Sequence, residues 1–324
     1  MPAAGGGADR LTTELLARCT FPDPVRDGPS TVLAAVSGGA DSLALLVLAR
    51  AAGLVVTAVH VDHGLRPGSA AEAEVVEVAA TRLGAGFRAE TVSIGPGPDL
   101  EQRARDARRA VLGPEAMTGH TADDQAETVL LNLLRGAGPA GLGAMVPGPR
   151  HPILGLRRAE TEALCRAIGL EPLVDPSNRD PRFRRNRVRH ELLPLMADIA
   201  ERDPVPLLNR TAELARSVRD DLDRLAEGLD PRDTRALAAV PVSVAAAALR
   251  RWLVDDRGHP PSAAEMERVM AVVRHEAVAC ELAGGRRLAR RAGLLRIEEA
   301  GPAPSPGDPG RREERPGHGG ARHR

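Results

Sequence analysis

The stretch Thr31-Val32-Leu33-Ala34-Ala35-Val36-Ser37-Gly38-Gly39-Ala40-Asp41-Ser42 decides how the first half of the chain reads. Thr31 to Val36 is a short apolar run, preceded by Asp27-Gly28-Pro29 and followed by Ser37-Gly38-Gly39. Those flanks predict a buried strand that ends in a glycine turn. Asp41 to Ala52 then reads as a helix stopped by Gly53. The alternation continues outward. Val55 to His60 predicts a second strand, Ala70 to Leu83 a second helix, and Phe87 to Val92 a third strand. Leu100 to Leu112 predicts a charged helix, Glu115 to Thr118 a fourth strand, and Ala122 to Leu134 a helix closed by Gly136. Strands alternating with helices predict an α/β, doubly wound, mainly parallel sheet covered on both faces.

The pattern changes further on. Gly136 to Pro152 is rich in Gly and Pro and reads as a loop. Arg158 to Ile168 and Asn186 to Met196 are helix candidates. Past Pro204 and Pro206 the chain reads as helical, over Leu207 to Leu229, Ala236 to Val254 and Ala263 to His275. Glu281 to Glu298, with Gly284-Gly285 between short apolar stretches, predicts a hairpin. Residues 301–324 hold five Pro and six Gly among mixed charges and predict a disordered tail. The expected organisation is therefore an N-terminal extension over 1–24, an α/β domain over 25–203, a smaller, mostly helical domain over 204–300, and the tail over 301–324.

Composition excludes several classes. Lys+Arg and Asp+Glu both number 44, so whole-chain charge makes no case for nucleic acid, and such a case needs a local cluster. The chain has no Lys and no Tyr, three Phe and one Trp, so the core must be aliphatic. Cys19, Cys165 and Cys280 are too dispersed for a disulfide framework or a paired-cysteine metal site. Met1 to Arg10 has no apolar signal core, and Leu43 to Ala49 falls far short of the ~20 residues that span a bilayer. A cytoplasmic protein without a membrane partner is expected.

Four motifs carry chemistry. In the first, Gly38 and Gly39 permit a tight turn whose amides, with the Ser37 and Ser42 hydroxyls and the next helix N-terminus, make an anion cradle. It lacks the Gly-Lys-Ser/Thr ending of the kinase and GTPase phosphate loop. Asp41 would repel phosphate without an intervening divalent cation, which points to a magnesium-bound nucleotide. On its own, the loop also reads as a capped strand-to-helix turn. The second motif, His60-Val61-Asp62-His63-Gly64-Leu65-Arg66, follows a strand at the sheet edge where ligands bind. The third, Gly119-His120-Thr121-Ala122-Asp123-Asp124-Gln125-Ala126-Glu127-Thr128, opens a helix with acids in its first turns, which suit the helix dipole or a bound cation. The fourth is Arg179 to His190, with arginines at 179, 182, 184, 185, 187 and 189 against Asp180. It suits phosphate-backbone contacts, or ion pairs with acids such as Asp175 and Glu191. Arg103, Arg105, Arg108 and Arg109 form either a solvated helix face or a phosphate clamp.

Taken together, these blocks resemble the tRNA(Ile)-lysidine synthase family of the PP-loop ATP pyrophosphatases. Ser37 to Ser42 matches the SGGxDS loop. His60 to Arg66, Gly119 to Thr128, Leu130 to Gly141 and Asp175 to Arg189 match further family blocks in order, over roughly residues 30–195. Arg109 and Phe183 stand where the family usually shows tyrosine.

The resemblance implies a fold of the adenine nucleotide alpha-hydrolase type and an ATP-consuming ligase. ATP would adenylate the C2 oxygen of the wobble cytidine in the CAU-anticodon isoleucine tRNA, releasing pyrophosphate. Free lysine would then displace AMP, giving lysidine and a tRNA that reads AUA instead of AUG. By motif match, Ser37, Gly38, Gly39, Ala40, Asp41 and Ser42 hold ATP, with Asp41 a candidate magnesium ligand. Asp41, Arg105 and Asp124 are the candidate catalytic groups. His63, Arg66, Asp123, Arg185, Asn186 and Arg189 are candidates for substrate contact. The C-terminal domain is expected to associate with tRNA, and a homodimer is left open. The alternatives are a tRNA thiolase, which the isolated cysteines disfavour, a small-molecule amide ligase, and a nucleotide-binding regulatory module.

Overall fold

The computed structural model describes residues 5–23, 31–62, 69–92, 100–256 and 258–299. The chain forms two compact units, Met1–Asp221 and Leu222–Arg324.

The first unit opens with helix α1 (Gly5–Leu16), followed by β1 (Thr31–Ala35), α2 (Ala40–Ala51), β2 (Val55–Asp62), α3 (Ser69–Arg82) and β3 (Gly86–Thr91). Next come α4 (Leu100–Leu112), β4 (Met117–Thr118) and α5 (Ala122–Leu133). The strands form one parallel sheet in the order β3-β2-β1-β4, with Ala34 opposite both Ala58 and Met117. The predicted alternation is thus the observed one, and the fold is doubly wound α/β. The order reverses direction between β1 and β4, which makes their carboxyl ends the crevice where such sheets take ligands. Helix α2 is buried on nearly every side, from Ser42 to Ala49. Its all-round apolar character is what a helix at the centre of a core requires. That core is aliphatic, built on Leu43, Leu45, Leu46, Leu48, Leu54, Ile153 and Leu156.

Helix α1 is an addition to the sequence reading, which left the segment as an extension. Leu15 is buried in the core, and Leu11 and Leu16 pack beside it. Thr20 N–H donates to the Pro152 carbonyl at 2.8 Å, tying the following chain to the segment beyond β4.

Beyond α5 lie α6 (Pro139–Leu142), α7 (Arg158–Ala167), a 3₁₀ turn (Pro176–Arg179), α8 (Arg184–Arg187), a π-helical turn (Val188–Leu192) and α9 (Leu193–Ala200). The single helix predicted over Asn186 to Met196 is therefore three joined pieces. A π turn inserts extra backbone and re-aims the side chains it carries. Helix α10 (Pro204–Leu225) follows, and the division between the units falls inside it. Val205 packs with Ala122 and Ala126 of α5, so the early part of α10 belongs to the first unit.

The second unit contains α11 (Thr234–Ala238), α12 (Val242–Trp252) and α13 (Ala263–Val273) beside an antiparallel sheet of β5 (Ala279–Glu281), β6 (Arg286–Arg291) and β7 (Leu294–Glu299). Its core gathers Leu237, Leu249, Val269, Val273, Leu288 and Leu295. Two expectations are corrected here. The helix predicted over Ala236 to Val254 is broken at Pro241, which caps α12 and has no N–H to continue a preceding helix. The single hairpin is a three-stranded sheet, whose second turn runs through Ala292 and Gly293 at positive φ. The tail, residues 301–324, lies outside the described residues. No helix among the described residues is long and apolar enough to cross a membrane.

Candidate active site

The glycine turn sits at the carboxyl end of β1. Gly38 has φ +84°, a conformation that favours glycine, and a Cβ there would lie 2.5 Å from Leu173 Cδ1, so the end of that side chain would have to shift. The loop is stitched from within. Ser37 N–H donates to Ser42 Oγ at 3.2 Å, and Ser42 Oγ donates to the Gly39 carbonyl at 2.9 Å. Ser37 is exposed and Gly39, Ala40 and Asp41 are half-buried, which leaves the loop open to a ligand on one side. The N-terminus of α2 follows directly, with Gly39 as its cap, so unpaired amides face that opening.

A second loop is pressed against the first. A Cβ on Gly119 would come within 2.8 Å of the Asp41 carbonyl oxygen and 3.0 Å of Ser42 Cα. Both neighbours are backbone and cannot turn aside. This close approach brings the start of α5 to the start of α2. There Thr121 and Asp124 cap α5 reciprocally, with Thr121 N–H donating to Asp124 Oδ2 at 2.8 Å.

Segment 150–157 supplies the third wall. Thr118 N–H donates to the Arg150 carbonyl at 2.9 Å, and Ala122 N–H to the Leu156 carbonyl at 2.7 Å. The segment delivers α7 with its first turn facing the crevice. Arg18 grips Glu160 at 2.5 and 3.1 Å, and Glu160 accepts the Arg157 N–H at 2.7 Å, which fixes where α7 begins. Asp123 accepts Arg157 Nε and Nη2, both at 3.1 Å, and the Arg158 N–H at 2.8 Å.

A knot of three carboxylates and three guanidiniums fills the space between these walls. Arg158 reaches Asp41 at 3.3 Å, Asp124 at 2.9 Å and Glu127 at 3.5 Å. Arg185 reaches Asp124 at 2.9 Å and Glu127 at 2.6 Å. Arg189, on the π turn, reaches Glu127 at 2.6 Å and Asp124 at 3.6 Å. The Glu127 side chain is 0% exposed and that of Asp124 is 11%, so these charges are held by each other rather than by water.

The acids differ in tuning. Burial pushes the Asp41 carboxyl up to about 6, against the pull of the Thr161 hydroxyl and Arg158, both of which hydrogen-bond to it. Burial acts on Asp124 in the same direction, but Arg185 and Arg158 outweigh it and hold that carboxyl below its usual range. Asp124 accepts two guanidinium donors and a backbone N–H; Asp41 accepts a hydroxyl and one guanidinium edge. His120, on the loop before α5, is drawn down to about 4 by burial and is neutral near pH 7. Its Nδ1 lies 2.7 Å from Thr118 Oγ1, which is also 2.7 Å from His151 Nδ1.

The sequence-derived candidates therefore separate. Ser37 to Ser42, Asp41, Asp124, Arg185 and Arg189 come together. Asp123 lies beside them with its carboxylate engaged in holding α7. Asn186 is buried, and its amide donates to the Ser177 and Asp180 carbonyls at 2.7 and 2.9 Å, bracing the basic segment from inside. His63 and Arg66 lie outside the described residues, as does the Arg105 side chain, although its backbone lies in α4. His60, which opens the second motif, is buried with Nδ1 on the Val36 carbonyl at 3.0 Å. Sequence reasoning missed Arg157, Arg158, Thr161 and the part played by Glu127. For Glu127 the signal was its place three residues after Asp124 on one helix face.

No group of three His, Cys, Asp or Glu among the described residues is arranged to hold a metal. A magnesium ion that arrives with a nucleotide needs only one or two carboxylates besides phosphate oxygens and water, so the single Asp41 carboxylate fits that role.

Residues 12–196, more than half of the chain, match the family model described as a PP-loop domain. Over 258 residues the chain is 41% identical to the tRNA(Ile)-lysidine synthase of Nocardia farcinica, covering 75% of this chain and 81% of that protein. This chain belongs to the PP-loop family of tRNA(Ile)-lysidine synthases. Within that family it is also 39% identical to the Rhodococcus erythropolis enzyme, with 75% and 79% of the two chains covered. A solved structure, the U34-tRNA thiolase NcsA from Methanococcus maripaludis, is similar with 15% identity, a TM-score of 0.49, and 70% and 82% coverage.

Proposed function

We propose that this protein ligates lysine to C2 of the wobble cytidine in the CAU-anticodon isoleucine tRNA, consuming ATP and releasing pyrophosphate and AMP. One observation carries the reading. In a chain of this family, the glycine cradle and the acid–arginine knot converge at one sheet edge, as an anionic nucleotide and a cationic amino acid would both require.

Cytosine C2 resists substitution because its oxygen leaves poorly. In the first step that oxygen attacks the α-phosphorus of ATP and pyrophosphate departs. In the second, the lysine ε-ammonium gives up a proton to solvent and its nitrogen bonds to C2. The C2–O bond then breaks, and AMP leaves with the oxygen and the electron pair. The modified tRNA reads AUA instead of AUG. No enzyme nucleophile is needed, and the site acts by position and charge.

Ser37 to Ser42 hold the phosphates through amides and hydroxyls. Asp41 would hold a magnesium ion arriving with ATP, which would supply neutralisation of phosphate charge. Arg105 contacts phosphate or the reacting centre. Asp124 and Glu127 bind the lysine ammonium, and Asp123 holds α7 in place for them. His63 and Arg66 line the pocket, and Arg185 and Arg189 serve the same chemistry from the π-turn side. The exposed Arg182, Arg184 and Arg187 contact the tRNA backbone, the C-terminal unit associates with the tRNA, and the enzyme works in the cytoplasm.

Nucleoside analysis of the isoleucine tRNA after incubation with ATP, lysine and the protein tests this. Lysidine should appear only when all three are present. Label entering the tRNA equally well without lysine would refute it.

A further inference from the structure

The knot poses a problem for any cationic substrate. Both Glu127 oxygens accept guanidinium N–H groups from Arg185 and Arg189. Asp124 Oδ1 accepts from Arg158 and Arg185, and its Oδ2 from Thr121. Asp41 accepts from Thr161 and Arg158. Among the described residues, three positive and three negative side chains cancel. An ammonium entering this site would meet carboxylates that already have partners, and a triphosphate would meet arginines already paired.

The three arginines are not equally held. Arg185 and Arg189 each have a contact of 2.6 Å to Glu127. Arg158 has one comparable bond, to Asp124 at 2.9 Å, and two longer ones, to Asp41 at 3.3 Å and Glu127 at 3.5 Å. It is also the arginine that reaches Asp41, the acid of the phosphate loop. Its backbone is fixed by Asp123, so only the side chain is free to change partners.

We propose that Arg158 is a charge-exchange residue. When the nucleotide enters, the Arg158 guanidinium leaves its carboxylates for phosphate oxygens, and this vacates its place on Asp124 Oδ1 and beside Glu127 Oε1 for the lysine ammonium, while Arg185 and Arg189 stay. This rests on the ligase reading above and adds a rule of order: lysine binds well only after the anion has drawn Arg158 away. Guanidinium suits the exchange because its planar fork pairs equally with carboxylate and phosphate. Linkage makes the effect reciprocal, so lysine must tighten nucleotide binding by the same factor.

Equilibrium dialysis of labelled lysine against the full chain, with and without α,β-methylene-ATP, is the test. In the native protein the analogue should tighten lysine binding at least tenfold. In Arg158→Gln, lysine should bind several-fold more tightly than to the native protein when nucleotide is absent, because a competitor for the acids has gone. The analogue should then add less than about threefold, and should itself bind at least tenfold more weakly. A purely structural role predicts the opposite sign, weaker lysine binding in the variant. Equal lysine affinity with and without the analogue in the native protein overturns the proposal, whether or not the variant folds. Lysidine synthesis by the same preparation separates the two failures. Product without coupling removes the exchange alone, whereas no product removes the ligase reading as well.

Discussion

Arg185 and Arg189 lie in the same short stretch as Arg182 and Arg187, yet the two pairs occupy different environments. The inner pair points at Glu127 and Asp124, with side chains 25% and 22% exposed. The outer pair bonds locally, Arg182 to Asp180 and Arg187 to Glu191, with side chains 85% and 62% exposed. Residues four apart on a helix share a face, and the π turn beginning at Val188 still leaves Arg185 and Arg189 on one carboxylate. One basic strip thus serves two purposes. Its inner edge completes a buried electrostatic site, and its outer edge is a solvated surface that suits a polyanion.

The largest effect should come from breaking the inner side. Glu127→Ala leaves Arg185 and Arg189 facing a void, and removing one partner of a buried ion pair costs about 3–5 kcal/mol. Denaturant melts should show that loss together with loss of turnover. A stable, active variant would place the inner arginines with the outer ones. Arg185→Ala should act in the same direction with a smaller loss, because it strips Glu127 of one of its two 2.6 Å partners and leaves Arg189.

Asp41→Asn sharpens the comparison from the phosphate-loop side. Turnover should fall at least a hundredfold while the fold survives, since Asp41 lies at the crevice and not in the aliphatic core. Its stability profile should also change. Burial raises Asp41 from 3.8 to about 6, so in that window the folded chain binds the extra proton and stability falls as pH rises. Burial lowers His120 from 6.5 to about 4, so there the folded chain binds fewer protons and stability rises with pH. The two trends oppose each other in the native protein. Asp41→Asn removes the opposing trend and leaves those of His120 and of His151, which burial also lowers, so the gain between pH 4 and 6.5 should be steeper by up to about 3 kcal/mol. Denaturant melts at the two pH values measure it, and identical slopes would mean that Asp41 ionises normally.

The smallest structural effect belongs to the outer pair. Replacing both Arg182 and Arg187 with Ala should leave the melting temperature within error. Affinity for tRNA should weaken, and its dependence on log salt should flatten by roughly one to two units. An unchanged salt slope would assign both residues to their local ion pairs alone.

These contrasts also mark what the sequence could reveal. The strand–glycine–helix alternation was legible because buried parallel strands and their helices leave unbroken apolar runs between glycines, as at Val32 to Val36 and Leu43 to Ala49. The phosphate loop was legible because only a glycine such as Gly38 tolerates that backbone. Helix α1 was not, since glycines open it and its apolar contacts fall late, at Leu11, Leu15 and Leu16. The pairing of Arg185 and Arg189 with Glu127 was hidden by spans of 58 and 62 residues, and the reach of Arg158 to Asp41 by one of 117. Local charge counting offered Asp175 and Glu191 as partners, and Glu191 serves Arg187.

The central claim concerns one oxygen atom. Isoleucine tRNA carrying ¹⁸O at C2 of its wobble cytidine can be turned over with ATP and lysine, and the AMP analysed by mass spectrometry. The label should be found in the AMP, one atom for each lysidine formed. AMP without label, with its new oxygen taken from water or from the lysine carboxylate, would contradict the account.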